Sequence, residues 1–339
     1  MKRFGLTLLI LALVAGCNRR PVSISATKSA PPKLPAAEPV PSDEPSEPDG
    51  ELPKTLAEAR KGFKTRLLQK VSADSPAATP PPEILRLVRY ESPAGKLAAY
   101  VSPDPGDGKK HPAIIWIFGG FSNSIGSTAW GTQPAKNDQS ASAFRKAGIV
   151  MMYPSFRGGN DNPGVKEGFF GEVNDVLAAR EYLAQLSFVD PARIYLGGHS
   201  TGGTMALLAA ECCDKFRAVF SFGPVEDVTG YGAKVLPFNV KSKREVQLRA
   251  PEQWLACIQC PTFVFEGASR TGVSNIEALD ALAQASKNSN IHFFPIEGGD
   301  HFTILAPTTA LIAAKIRRDT SKECTIRFTE AELRRPFAK

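Results

Sequence analysis

Residues 194–211 read IYLGGHSTGGTMALLAAE. A β-favouring run leads into glycine pairs on either side of His199, Ser200 and Thr201, and a helix-forming run follows at once. The local grammar is strand, sharp turn, helix. A serine at the apex of such a turn needs small residues on both sides, because the backbone is strained and closely packed while the hydroxyl projects above the strand ends. Gly198 and Gly202 supply that spacing and Gly203 adds close helix packing, so Ser200 is the candidate nucleophile. The alternative is a glycine-rich turn used only for packing.

The same alternation extends in both directions. ILRLVRYES (84–92) and KLAAYVSP (96–103) flank the turn Ser92-Pro93-Ala94-Gly95 and read as an antiparallel edge hairpin. AIIWIFGG (113–120) reads as a buried central strand, and NDQSASAFRKAG (137–148) as a helix stopped by Gly148. IVMMYPS, AVFSFGP, PTFVFEG and IHFFPI are further strands, interleaved with the helical patterns EVNDVLAAREYLAQL, NIEALDALAQAS and PTTALIAAKIRRD. Strands alternating with helices predict an α/β domain with a mainly parallel central sheet and helices on both faces. No internal repeat is visible.

The two ends of the chain are different in kind. MKRFGLTLLILALVAGC (1–17) has a basic start, an apolar run from Phe4 to Ala15 and small residues before Cys17, which is the pattern of an export signal. The run is too short to span a bilayer, which takes ~20 apolar residues. Val14-Ala15-Gly16-Cys17 resembles a bacterial lipobox, which implies lipidation at Cys17 and a membrane contact through that lipid anchor at the cell envelope, on its periplasmic or surface side. Residues 18–82 are rich in Pro, Ser, Ala and Glu, a composition that cannot bury enough apolar surface to offset chain entropy. They read as a disordered tether carrying one helical piece, TLAEARKGFKTRLLQK (55–70), that docks on the domain. The folded domain is then expected over 83–320, with 321–339 as a C-terminal extension of unread role.

Composition excludes little else. The formal net charge is +7, but the basic residues are scattered rather than clustered with aromatics, so no nucleic-acid surface is expected. Cys257 and Cys260 have CxxC spacing without a second CxxC or a histidine pair, so no metal site and no cofactor are implied; small buried side chains are the preferred reading over a disulfide.

Enumeration finds the general base. Of the four histidines, His111 precedes a strand, His199 is locked beside Ser200 and His292 lies within a strand. Only His301, in EGGDHF just beyond the last strand, sits where the topology returns a loop toward Ser200. Donors for a developing oxyanion are expected from the Thr201 N–H and from Gly120 or Phe121 after the strand AIIWIFGG.

Taken together, GGHSTGG, the preceding VDPARI, the strand IFGGF, the segment RGGNDNPG and the terminal GGDHF resemble the catalytic domain of the prolyl oligopeptidase family over roughly residues 84–318. The resemblance implies an α/β-hydrolase fold, with Ser200 as nucleophile and His301 as base in a Ser, acid, His chain order. Three departures stand out. Residues 18–82 are too short for the large N-terminal domain such peptidases often carry. The segment EGASRTGVS has Arg270 where the family commonly has its triad aspartate, leaving Glu266 at the strand end and Asp227 after the preceding strand as equal substitutes, with Asp300 poorly placed. Phe118 stands where the family has the histidine of HGG. Arg157 reads either as a clamp for a substrate carboxylate or phosphate, or as a loop anchor.

The expectation is an exported serine hydrolase that cleaves a small-molecule ester or a peptide through an acyl-enzyme. Two other readings share the residues: a non-catalytic hydrolase-like binding domain, or an acyltransferase using the same serine.

Overall fold

Eight strands form one sheet in the computed structural model, which describes residues 55–269 and 271–338. The signal-like segment, Cys17, the first part of the expected tether and Arg270 lie outside the described residues. The strands are β1 (Arg86–Ser92), β2 (Gly95–Val101), β3 (His111–Ile117), β4 (Val150–Pro154), β5 (Val189–His199), β6 (Val219–Phe222), β7 (Thr262–Gly267) and β8 (Ile291–Ile296). Their order across the sheet is β1-β2-β4-β3-β5-β6-β7-β8. β1 and β2 form the antiparallel hairpin expected at one edge, β2 joins β4 antiparallel, and every pairing from β4 to β8 is parallel.

The helices are α1 (Leu56–Arg60), α2 (Ala143–Lys146), α3 (Gly171–Ala184), α4 (Thr201–Cys212), α5 (Lys243–Gln247), α6 (Ile276–Ala285), α7 (Leu305–Arg318) and α8 (Glu330–Arg334). One core layer packs α3, α4 and α6 on the sheet through Val173, Val176, Leu207 and Leu279. The other packs α2 and α7 on the opposite face through Phe144, Ile312 and Ile316. Two covered faces explain why the central strands are continuous apolar runs rather than alternating ones.

Two expected helices are much shorter than their patterns. In 137–148 only Ala143–Lys146 is α-helical, because Asp138 spends its carboxylate on local bonds from the Ser140 hydroxyl and from both the amide and hydroxyl of Ser142. In 55–70 the helix ends at Arg60, after a capping box between Thr55 and Glu58, and the chain passes Gly62 at φ +77° into extended backbone.

Extended backbone here is docked, which corrects the expectation of a tether running to residue 82. Leu56 is fully buried on the core beside α4. The Leu68 N–H donates to the Pro237 carbonyl at 2.7 Å, the Ala73 N–H to Gly158 at 2.8 Å, and the Lys166 N–H returns a bond to Val71 at 2.8 Å. Arg249, wholly buried, reaches the Thr65 hydroxyl at 2.6 Å and pairs with Glu245 at 2.6 Å. Backbone hydrogen bonds to a folded partner supply what composition alone could not.

The expected extension 321–339 is likewise part of the fold. Phe328 packs against Phe263 and Phe265 at 4.9 and 5.3 Å between ring centroids, and Leu333 joins the same core layer. Asp319 anchors the entry to this segment, accepting a two-pronged contact from Arg217 at 2.9 Å and the Tyr195 hydroxyl at 2.6 Å.

A chain truncated to residues 83–339 is therefore expected to unfold at a lower temperature than one beginning at residue 55. Leu56→Ala alone is expected to cost about 2–5 kcal/mol, the range for emptying a buried leucine site, as read by urea denaturation.

Candidate active site

β5, β6 and β7 are parallel neighbours, so their carboxyl ends open on one side of the sheet. In register, His199 pairs with Phe222 and Phe222 with Phe265, which puts Ser200, Gly223 and Glu266 one step beyond three adjacent positions. Such strand ends are where α/β sheets bind ligands.

Ser200 sits at φ +55°, ψ −118°, a conformation costing a non-glycine residue about 1–3 kcal/mol. The turn is held by the Ser200 N–H donating to Phe222 at 2.7 Å and by close backbone contact. A Cβ at Gly198 would meet the Gly202 carbonyl oxygen at 2.3 Å, and one at Gly202 would meet that of Ile117 at 2.3 Å. α4 begins immediately afterwards at Thr201, so its unpaired N-terminal N–H groups face the serine end of the helix.

Of the two acids left open by the sequence, Glu266 is the one in contact with His301. Its Oε2 lies 2.9 Å from His301 Nδ1, and its Oε1 accepts the Gly267 N–H at 2.8 Å. Both side chains are buried, at 0 and 5% exposure, so the pair is shielded from water and its bonds are strengthened by the low dielectric. Gly223, at φ +57°, makes room for it: a Cβ there would fall 2.3 Å from His301 Cε1 and 2.5 Å from Glu266 Oε2. Asp227 is engaged elsewhere. Its Oδ1 accepts the Thr229 N–H at 2.6 Å and the Thr229 hydroxyl, capping the 3-10 turn Val228–Tyr231. Asp300 caps the residues after it in the same way, accepting the N–H groups of Phe302 and Thr303.

His199 has a structural partner the sequence did not reveal. Its Nε2 lies 2.9 Å from the His301 carbonyl oxygen and its Nδ1 2.9 Å from the Gln139 side-chain nitrogen, so the neutral ring donates at Nε2 and accepts at Nδ1. Burial, with the neighbouring His301 ring as a second cause, pushes His199 down to about 3. The two rings lie 4.4 Å apart. His199 thus fastens the His301 loop to the elbow.

In the loop after β3, where oxyanion donors are expected, Gly120 takes φ +101° and its carbonyl accepts the Thr201 hydroxyl at 2.6 Å, tying that loop to the start of α4. The Phe121 carbonyl accepts Lys166 Nζ at 2.7 Å. Ile117, Phe118, Phe121, Phe169 and Met205 line an apolar cleft beside Thr201, and Phe118 is stacked on Tyr153. Arg157 is a loop anchor: it holds Asp175 with two nitrogens at 2.9–3.0 Å and Glu167 with a third at 2.6 Å. Cys260 is buried, and burial pushes its thiol up to about 11. Among the described residues no cluster of three or more His, Cys, Asp or Glu is placed to hold a metal ion.

Residues 136–302 match the model of the prolyl oligopeptidase family. Over that stretch the sequence is similar to this family. Its fold is that of a Mycobacterium tuberculosis puromycin-hydrolyzing peptidase (20% identity, TM-score 0.54, covering 68% of this chain and 37% of that one). It is also similar to a Pyrococcus horikoshii acylaminoacyl peptidase (16%, 0.53, 74% and 43%) and a Pyrobaculum calidifontis esterase (16%, 0.50, 70% and 86%). At these identities the likeness is one of fold. The chain spans about two fifths of the length of the two peptidases and most of the length of the esterase.

The His199 environment generates a pH dependence. A histidine held at about 3 in the fold and near 6.5 when unfolded leaves the unfolded state with more protons between those values. Its contribution is complete above about pH 6.5 and is lost as pH falls toward 3. Urea midpoints across this window are expected to drop with pH, and His199→Gln to remove about one proton's worth of that slope.

Proposed function

We propose that this hydrolase cleaves an ester or peptide bond through an acyl-enzyme on Ser200, with His301 as general base and Glu266 as the triad acid. The observation that carries the reading is the buried 2.9 Å contact between Glu266 and His301 Nδ1, next to a serine on a strained elbow. Glu266 fixes the tautomer that leaves His301 Nε2 as acceptor, and it stabilises the imidazolium formed when that nitrogen takes the serine proton. Ser200 Oγ then adds to the substrate carbonyl, and N–H groups of Thr201 and of Gly120 or Phe121 receive the developing oxyanion. His301 returns the proton to the leaving group, and water repeats the sequence to free the acyl product.

A small ester or short peptide is the substrate class favoured. The matched part covers 86% of the esterase but only 37% and 43% of the two peptidases. Export and attachment through Cys17 belong to the same proposal, supported by the basic, apolar and small-residue order of residues 1–17.

Fluorophosphonate labelling of the chain, with p-nitrophenyl ester hydrolysis alongside, tests the chemistry. The parent is expected to label, and Ser200→Ala and His301→Ala to abolish both signals. Glu266→Gln is expected to lower kcat by on the order of 10²–10⁴-fold, while Asp227→Asn stays within about tenfold. A folded parent that neither labels nor hydrolyses overturns the hydrolase reading in favour of a binding domain. Products formed only with an added alcohol point to acyl transfer. For the anchor, fatty-acid labelling of the full chain in a bacterial host is expected to be lost in Cys17→Ser.

A further inference from the structure

The cleft beside the elbow is apolar with one unmatched charge. Ile117, Phe118, Phe169 and Met205 line it, and Lys166 is the one cationic side chain among the described residues that do so. Half-buried, Lys166 Nζ donates to the Phe121 carbonyl at 2.7 Å and lies 5.6 Å from the centroid of the Phe121 ring. Among the described residues no carboxylate stands within ion-pair distance of it. An ammonium carries three donors, so two N–H groups are left over.

The other polar groups here are occupied. Glu172 also lines the cleft, but it is buried and accepts the N–H groups of Glu167, Gly168 and Phe170 and the Asn123 amide at 2.7–3.1 Å. It stands in the first turn of α3, where the helix end adds a partial positive charge, so its own charge is balanced within the protein. The Thr201 hydroxyl is held by the Gly120 carbonyl. Arg157 has its nitrogens on Asp175 and Glu167, whereas Lys166, nine residues further on, has no such partner. Its backbone is fixed, since the Lys166 N–H donates to Val71 at 2.8 Å. Burial lowers the ammonium from its ordinary value, with Glu172 only partly opposing the shift, and an anion in the cleft would restore it.

The cleft's place relative to the base decides which part of a substrate it takes. His301, which hands its proton to the leaving group, does not line it, whereas Gly120, Phe121 and Thr201 do. The leaving group therefore belongs on the His301 side and the acyl group in the cleft. We propose that Lys166 is a specificity-determining residue that selects an acyl group with an apolar chain ending in a carboxylate, as in a monoester of a dicarboxylic acid. The chain lies along the apolar walls, and the carboxylate takes the remaining N–H groups of Lys166. The proposal rests on the serine-hydrolase reading and deepens it by naming the substrate class; Lys166 touches the far end of the acyl group and not the reacting atoms.

Two ester series test it on the full chain: p-nitrophenyl monoesters of adipic, suberic and sebacic acids, and the neutral p-nitrophenyl hexanoate, octanoate and decanoate of matching length. The parent is expected to show a higher kcat/KM on the acid-ended ester than on its neutral partner at the length that reaches Lys166, with the preference shrinking as salt is raised. Lys166→Met keeps the apolar stem and removes the charge; it is expected to lower the ratio of acid-ended to neutral kcat/KM by about tenfold or more. Lys166→Arg, which keeps the charge, is expected to hold that ratio within about threefold of the parent. Lys166→Met also loses the bond to the Phe121 carbonyl, and a loss equal on both series would mean that Lys166 only braces that loop. Such an equal loss, or a parent without the preference at any length, overturns the proposal and leaves the hydrolase reading standing. A folded parent inert to every ester and to the fluorophosphonate probe overturns the two together.

Discussion

The site depends on the close approach of three backbone segments at the carboxyl ends of β3, β5 and β6. Gly202 lies against the Ile117 carbonyl, Gly198 against Gly202, and the Ser200 N–H on the Phe222 carbonyl. None of these contacts survives a shift of one residue in the parallel register, because each side chain would then exchange faces. The strain at Ser200 is offset by the packing of two core layers around the sheet. Strands, helices and elbow are thus one mechanical unit.

Around that unit the polar groups are buried and mutually satisfied. Glu266 bonds His301 and Gly267; the His301 carbonyl receives His199; His199 receives Gln139; Thr201 bonds Gly120. Each link sets the orientation of the next, which is what preorganisation means for a site that must stabilise charge without solvent rearrangement. The docked segment 62–75 extends the same logic outward. Val71 bonds the backbone of Lys166, and Lys166 bonds Phe121 in the loop after β3, so a stretch far from the elbow in sequence braces one wall of the cleft.

Several residues could be read two ways from their neighbours in the chain and in only one way from their neighbours in space. Arg157 has the chemistry of an anion clamp, but Asp175 and Glu167 consume its nitrogens. Asp227 follows a strand end as a triad acid would, but its carboxylate is turned onto Thr229 two residues on. Proline-rich composition argues that residues before the domain cannot build a core of their own. It could not foresee that residues 55–82 find hydrogen-bond partners on a finished surface, since an extended segment leaves no periodic trace of the partner it meets.

The local and periodic features were legible in the amino-acid order alone. Alternating β-branched runs and amphipathic helices specify the α/β sheet, the edge hairpin follows from its turn, and the elbow and His301 follow from glycine spacing and from position after the last strand, because each rests on contacts within a few residues. The contact of Glu266 rather than Asp227 with His301, the bond from His199 to the His301 loop and the docking of segments 55–82 and 321–338 needed the three-dimensional arrangement. These contacts join residues 35 to 184 positions apart, Glu266 with His301 across 35 and Arg249 with Thr65 across 184. No local propensity encodes a meeting at that separation; it is set by which strand ends converge and which surfaces remain to be covered.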